Sequence, residues 1–153
     1  VNPPSLEGFR HHTAIQVRWG DMDALGHVNN AAFLTYLEQA RVGYFAELGL
    51  WDGSAQGVGL IMARVEMDFR LPLFAGDDVH VFTRCARLGN RSFDTVQQIV
   101  RRTSAGALEV AAPATITIVV FDYAAGHSVG IPDTWRRSLR EYEPWPPAES
   151  RSV

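Results

Sequence analysis

The run Gly20-Asp21-Met22-Asp23-Ala24-Leu25-Gly26-His27-Val28-Asn29-Asn30 gathers two carboxylates, one imidazole and two carboxamides. Carboxylates and imidazoles move protons in catalysis, and a carboxylate can also attack an electrophilic carbonyl. Carboxamides, and the unpaired N–H groups that open a helix, supply the complementary donors for a developing oxyanion. The run lies between an alternating stretch, Thr13 to Trp19, and a stretch with helical spacing, Ala31 to Leu48. The positive end of a helix therefore falls beside the carboxylates. Asp21 and Asp23 are two apart and point to opposite faces of an extended segment, so one of them faces a shared cleft. Asp, Asn and Gly are also ordinary turn and cap residues, so local chemistry leaves a purely structural reading open.

The elements that must position this run are readable from periodicity. Ile15, Val17 and Trp19 alternate with Gln16 and Arg18 as in a half-buried strand, after an arm of residues 1–12. The helix carries Phe33, Tyr36, Leu37, Ala40, Tyr44, Phe45 and Leu48 on one side and Thr35, Glu38, Gln39 and Glu47 on the other. Asn29 or Asn30 caps its start and Gly49 ends it. A Gly-rich loop, Trp51 to Gly59, leads to a strand in which Ile61, Ala63, Val65, Met67 and Phe69 alternate with Met62, Arg64, Glu66, Asp68 and Arg70. Further strands follow at Val79 to Leu88, Ser92 to Arg102 and Ala112 to Tyr123, and a short helix at Pro132 to Tyr142. Short turns between the late strands require antiparallel pairing, and the apolar helix face must be buried on that sheet. The expectation is one α+β domain over residues 1–153, with its core at about 13–123 and the C-terminal helix at 132–142. Its five-stranded antiparallel sheet wraps around one long helix, the hotdog fold.

Composition narrows the chemistry. The net charge of −3 on 153 residues argues against a nucleic-acid or anionic-membrane role, since both usually need a basic face. No apolar run approaches the roughly 20 residues of a membrane helix, and Val1-Asn2-Pro3-Pro4 lacks a signal-peptide layout. A cytoplasmic location is expected. The single cysteine, Cys85, excludes an internal disulfide, and mid-strand it reads as core. All 14 basic residues are Arg, which rules out lysine Schiff bases and a Walker lysine. Nothing supplies His or Cys at metal-ligand spacing and there is no Gly-x-Ser-x-Gly elbow, so neither a metal nor a cofactor is expected.

Asp21-x-Asp23-x-x-Gly26-His27-Val28-Asn29-Asn30, followed by Phe33-Leu34-x-Tyr36-Leu37-Glu38-x-Ala40-Arg41, resembles the signature of the 4-hydroxybenzoyl-CoA thioesterase family of hotdog enzymes. The resemblance continues through Asp68-Phe69-Arg70-x-Pro72-Leu73-x-x-Gly76-Asp77 and Gly89-Asn90-Arg91-Ser92, and so spans about Thr13 to Tyr123. It implies hydrolysis of an acyl-CoA or acyl-carrier-protein thioester. Asp23 takes the position of the family's catalytic carboxylate, as nucleophile or as general base, and Asp21 falls to a structural role. His27 is implied as a hydrogen-bond partner of carboxylate or substrate, and Asn29 and Asn30 as groups that polarise the thioester carbonyl. A second group of hotdog thioesterases uses a helix Glu after a His-Gly-Gly motif. This chain has no such motif, so Glu38 does not match that carboxylate.

The same resemblance implies an active site at a dimer interface, with the helix start of one subunit facing the Gly-rich loop and strand of the other. Gly57 and Gly59 are then donors to the thioester, in a homodimer or homotetramer. Arg64, Arg87 and Arg91, with Ser92, are candidates for the phosphates of CoA, against a plain reading as solvated strand-end residues. Glu38 and Arg41 read as a structural ion pair, and His11, His12, His80 and His127 as surface or loop residues. Two other functions compete: an acyl-thioester hydratase or dehydratase, whose Asp-x-Asn-Pro-x-His pattern is missing here, and a non-catalytic acyl-CoA-binding protein.

Overall fold

Strands with one apolar face and a helix with an apolar side can hide those faces only against each other. The computed structural model describes residues 6–52, 54 and 56–149 and shows that solution. In chain order the elements are β1 (His11–Ile15), a 3₁₀ turn (Trp19–Asp21), α1 (Asn30–Glu47), β2 (Val58–Met67), β3 (Asp78–Leu88), β4 (Ser92–Arg102), β5 (Leu108–Asp122), β6 (His127–Ser128), α2 (Asp133–Tyr142) and β7 (Ala148–Glu149). The sheet runs β1-β3-β4-β5-β2 with antiparallel neighbours throughout; β6 extends β5, and β7 lies parallel to β3. Five long strands around one long helix make the α+β hotdog arrangement, and the two extra strands are two-residue additions.

One face of the sheet holds the core. Val79, Val81, Thr83 and Cys85 of β3, Phe93, Thr95, Gln97 and Ile99 of β4, and Ile116, Ile118 and Val120 of β5 are buried with Phe33, Tyr36, Leu37, Ala40, Tyr44 and Phe45 of α1. Gln97 is the polar exception and fixes α1 on the sheet. Its Nε2 donates to the Leu37 carbonyl at 3.1 Å and to Thr83 Oγ1 at 3.0 Å, while its Oε1 accepts from Arg41 Nη1 at 3.1 Å. A fully hydrogen-bonded polar group in a core specifies register where apolar contacts alone tolerate sliding.

Several sequence expectations change. β1 begins at His11 and stops at Ile15, because Arg18 to Asp21 turn instead of extending and leave Trp19 84% exposed. His11 is consequently buried, with Nδ1 2.6 Å from Glu47 Oε2 and Nε2 3.1 Å from Thr13 Oγ1. The arm is thus partly a strand, and Val1 to Ser5 lie outside the described residues. β2 starts at Val58, so Gly59 is a strand residue; Gly53 and Ala55 of the expected loop also lie outside the described residues.

The expected alternation of β2 is broken by a register shift between Met62 and Arg64, where Ala63 is the unpaired residue. A bulge of one residue reverses which side chains share a face. Leu60, Met62, Val65 and Met67 lie opposite the buried Val120, Ile118, Ile116 and Ala114, so Ile61 and Ala63 do not share a face with Val65.

Candidate active site

The motif folds as a miniature hairpin. Met22 and Val28 form an antiparallel bridge, the Asp23 N–H donates to the His27 carbonyl at 3.0 Å, and the Gly26 N–H returns to the Asp23 carbonyl at 3.1 Å. Gly26 closes the turn at φ +83°, a conformation that a side chain disfavours. The Val28 N–H donates to the Leu73 carbonyl at 2.8 Å, and the Asn29 N–H to the Asp21 carbonyl at 2.8 Å. The hairpin is thereby anchored to the β2–β3 connection on one side and to the 3₁₀ turn on the other.

The two carboxylates have opposite environments. Asp21 is buried and accepts from the Arg18 N–H at 2.9 Å, Arg18 Nη2 at 3.1 Å and the Tyr36 hydroxyl at 2.7 Å. Burial opposes its charge, but the Arg18 amide, the Tyr36 hydroxyl and the Arg18 guanidinium outweigh burial and hold the carboxyl below its ordinary range. Burial and the Asp21 carboxylate together push the Tyr36 hydroxyl upward, so it stays a donor. Asp21 is thus a clamp between the 3₁₀ turn and α1. Asp23 is half-buried, and its Oδ1 accepts only the local Leu25 N–H at 2.9 Å. Its Oδ2 has no partner among the described residues.

Asn29 is the N-cap of α1, with extended φ and ψ of −60° and 137°, and its Oδ1 accepts the Ala31 N–H at 2.8 Å. Its carbonyl accepts the Ala32 N–H at 2.9 Å, which leaves its Nδ2 as the group able to reach a ligand. Asn30 is the exposed first residue of the helix, and His27 is half-buried with Nδ1 3.5 Å from the Val28 carbonyl. A cleft opens at this helix start, lined by His27, Asn30, Phe33, Phe69, Arg70 and Pro72 among others. Phe33 and Phe69 meet edge-on at 5.3 Å as its apolar wall. Arg70 lines this cleft, a place that sequence reasoning did not assign to it although it sits in the quoted Asp68-Phe69-Arg70 segment.

The remaining candidates gather at the other end of the sheet. Gly59 pairs with Phe121, the Gly57 carbonyl accepts the Tyr123 N–H at 2.8 Å, and the Arg91 carbonyl accepts the Val120 N–H at 2.9 Å. The motif turn lies at the opposite end of α1, whose 18 residues span about 27 Å. One protomer therefore does not bring Gly57 or Gly59 to Asp23. Arg87 grips Asp94 through Nε at 2.6 Å and Nη2 at 3.1 Å and reaches Ser92 Oγ at 3.4 Å, a strand-to-strand brace. Arg91 is exposed and bonds the Ser128 carbonyl at 3.2 Å, and Arg64 is exposed beside Glu66.

A second cleft lies between α1 and β2, lined by Glu38, Arg41, Val42, Phe45, Trp51, Leu60, Met62 and Ile118. The expected Glu38–Arg41 ion pair is not formed: Arg41 is buried and turns inward to Gln97, while Glu38 stays exposed. Cys85 is fully buried, and burial together with the nearby Glu143 pushes its thiol up to about 12, far from a reactive thiolate. Among the described residues no three His, Cys, Asp or Glu side chains are placed to hold a metal ion, and no helix is long and apolar enough to cross a membrane.

The sequence profile of the thioesterase-like superfamily matches residues 17–139. A long-chain acyl-CoA thioesterase, FadM of Escherichia coli K12, is 25% identical over 139 residues, covering 84% of this chain and 96% of its own. A thioesterase of Thermus thermophilus, solved with coenzyme A and Zn, is 33% identical, covers 92% of this chain and 99% of its own, and superposes with a TM-score of 0.79. PA2801 of Pseudomonas aeruginosa, described as a putative thioesterase, is 30% identical over 86% of this chain and 98% of its own, with a TM-score of 0.75.

Proposed function

The chain belongs to the thioesterase-like superfamily, and from that membership we propose that it hydrolyses an acyl-CoA thioester to a free carboxylic acid and CoA. The observation that carries the reading is the contrast within the motif. Asp21 is fully bound by three donors, whereas Asp23, in the hairpin that leads into α1, keeps an oxygen without a partner among the described residues. CoA as the thiol half is supported by the relative named a long-chain acyl-CoA thioesterase and by the coenzyme A bound to the Thermus protein.

In this reading the Asp23 carboxylate either attacks the thioester carbon directly or takes a proton from the water that does. Both routes break the C–S bond and expel the thiolate, which is protonated to CoA. Direct attack leaves a mixed anhydride that water then hydrolyses to the free acid and the restored Asp23 carboxylate, whereas the base route delivers the hydroxyl of water to the acid in one displacement. Both also put negative charge on the former carbonyl oxygen. The Asn30 N–H and the Asn29 Nδ2 lie at the helix start where such charge is stabilised. His27 and Arg70 orient the substrate in the same cleft, with Phe33 and Phe69 as the apolar wall.

The site is completed in a homodimer. β2 is a long edge strand, and its Val58, Met62 and Val65 are 38%, 46% and 37% exposed, an arrangement that invites pairing with a second copy. That pairing supplies the Gly57 and Gly59 backbone from the partner. Arg64 and Arg91 are the arginines offered to the CoA phosphates, while Arg87 keeps its brace to Asp94.

The test is thiol release by Asp23→Asn across a panel of aromatic and aliphatic acyl-CoAs. A carboxylate acting in proton transfer or attack is worth about 10²–10⁴-fold, so kcat/KM falls by at least about 100-fold on every substrate that the wild type turns over. Turnover close to wild type overturns the assignment of Asp23.

A further inference from the structure

Arg41 is 7% exposed, and its contacts are Gln97 Oε1 at 3.1 Å and Met62 Sδ at 3.7 Å. Both are neutral, and no carboxylate among the described residues lies within ion-pair distance of its guanidinium. Burial pulls its affinity for the proton down, against some help from Glu38. A buried cation without a counter-charge is costly, and an anion brought to it recovers that cost. Arg41 lines the cleft between α1 and the edge strand β2, so an anion entering that cleft can meet it.

Beside that cleft lies a stripe of this same chain. Leu34 and Val42 of α1 are 40% and 41% exposed, Met62 of β2 is 46% exposed, and Glu38 stands among them with no partner among the described residues. The patch thus carries one under-paired cation, one such carboxylate three positions away and an apolar surround. In a two-fold dimer residue i meets residue j and j meets i, so such a patch complements itself.

We infer that, in the dimer proposed above, each Arg41 guanidinium receives the Glu38 carboxylate of the partner subunit, giving two reciprocal ion pairs around the two-fold axis. The helices then run antiparallel with the axis between positions 38 and 41. Because Arg41 touches Met62, the same axis passes beside Met62, and the two β2 edges meet antiparallel at that residue. This register sets Gly57 of the partner subunit level with Met67, next to the Phe69 wall of the helix-start cleft. The ion pairs therefore fix the offset at which the second chain's Gly57–Gly59 segment reaches the helix-start cleft.

The inference rests on the dimer reading, and the experiment separates the two. Sedimentation equilibrium of wild type, Glu38→Gln and Glu38→Arg gives dimer dissociation constants, with thiol release measured over the same concentrations. Glu38 is exposed, so both variants fold, as circular dichroism verifies. Loss of both pairs weakens association at least about tenfold in Glu38→Gln, and the like charges of Glu38→Arg weaken it at least about 100-fold. Activity per chain drops in step with the monomer fraction and returns at high protein concentration. Arg41→Gln and the double variant complete a cycle in which Glu38→Gln has no further effect once Arg41 is gone. A wild type that is monomeric throughout overturns both the dimer and the ion pairs. A dimeric wild type whose association is unchanged in Glu38→Gln and Glu38→Arg overturns the ion pairs alone.

Discussion

Exchanging Asp21 and Asp23 one at a time separates a carboxylate that holds the turn from one that the turn presents. Asp21→Ala removes the acceptor of three donors. The Tyr36 hydroxyl is buried and left stranded, at about 1–3 kcal/mol. The Arg18 amide loses a contact of the kind that caps helices, worth about 1 kcal/mol. The Arg18 side chain is 69% exposed, so its ion pair contributes less than about 1 kcal/mol. The sum is about 2–4 kcal/mol, which lowers Tm by about 5–15 °C in a chain of this size. Asp23→Ala loses only the Leu25 contact and costs about 0.5–1 kcal/mol.

Activity is expected to move in the opposite order. Measured at about 10 °C, where Asp21→Ala remains folded, its kcat/KM stays within about tenfold of wild type, while Asp23→Ala loses at least about 100-fold. The Tyr36→Phe variant supplies the internal control. Combined with Asp21→Ala it removes the stranded hydroxyl, so the double variant is about 1–2 kcal/mol more stable than additivity allows. Denaturant unfolding followed by circular dichroism, with thiol release on the same samples, reads all of these. A stable but inactive Asp21→Ala beside an active Asp23→Ala would reverse the two roles and refute the reasoning.

Two further outcomes follow from other contacts. Glu143 is buried, and burial, only partly offset by the Tyr44 hydroxyl and the Cys85 N–H, raises its carboxyl above the ordinary range. A raised folded value gives stability that is full below the unfolded value and is lost as pH rises through the folded one. Glu143→Gln therefore gains on wild type as pH rises from the ordinary carboxylate range toward the raised folded value, and parallel unfolding curves of the two proteins across that rise would show that the acid is not desolvated. A Cβ at Gly59 would lie 2.6 Å from Tyr123 Cε2, so Gly59→Ala displaces that ring and costs about 1–2 kcal/mol. Adding Tyr123→Ala relieves the clash, and a Gly59→Ala penalty that persists in that background would place the strain elsewhere.

What was legible in the sequence is what periodicity encodes. α1 differs from its expected span by one residue at each end, and β3 and β4 fall where their alternation placed them to within one residue. The errors cluster where a specific side-chain or strand contact overrides the local pattern. β1 gives way after Ile15 because the Asp21 carboxylate captures the Arg18 amide and folds the chain into a turn. His11 looked like a surface residue because nothing local reveals that Glu47, at the far end of α1, comes to its ring. The bulge at Ala63 leaves no mark in a sequence whose alternation reads unbroken from Ile61 to Phe69. Glu38 and Arg41 had the spacing of a helical ion pair, but Gln97 in the middle of β4 draws the guanidinium inward. Apart from the β1 turn, each miss involves a partner more than about ten residues away, beyond any window of local propensity.

These misses bear on why a single protomer holds only part of the proposed site. The motif places its carboxylate and its donors within one hairpin and one helix start, and those are the parts that local sequence can specify. The proposed donors Gly57 and Gly59 sit at the other end of the sheet, and within one chain the Gln97 bonds hold α1 in place on β3 and β4. Antiparallel pairing of two β2 edges removes this separation without any conformational change, since it inverts the strand and sets its start beside the other strand's end. The bulge then has a direct consequence: by putting Met62 and Val65 on the face toward α1, it aligns the apolar residues of the edge with the Leu34, Glu38 and Val42 stripe. Without that shift the alternation would follow Met62 on this face with Arg64 and Glu66 in place of Val65 and Met67. In the proposed dimer, the irregularity that the sequence concealed thus lets the edge strand and the helix face the second copy together.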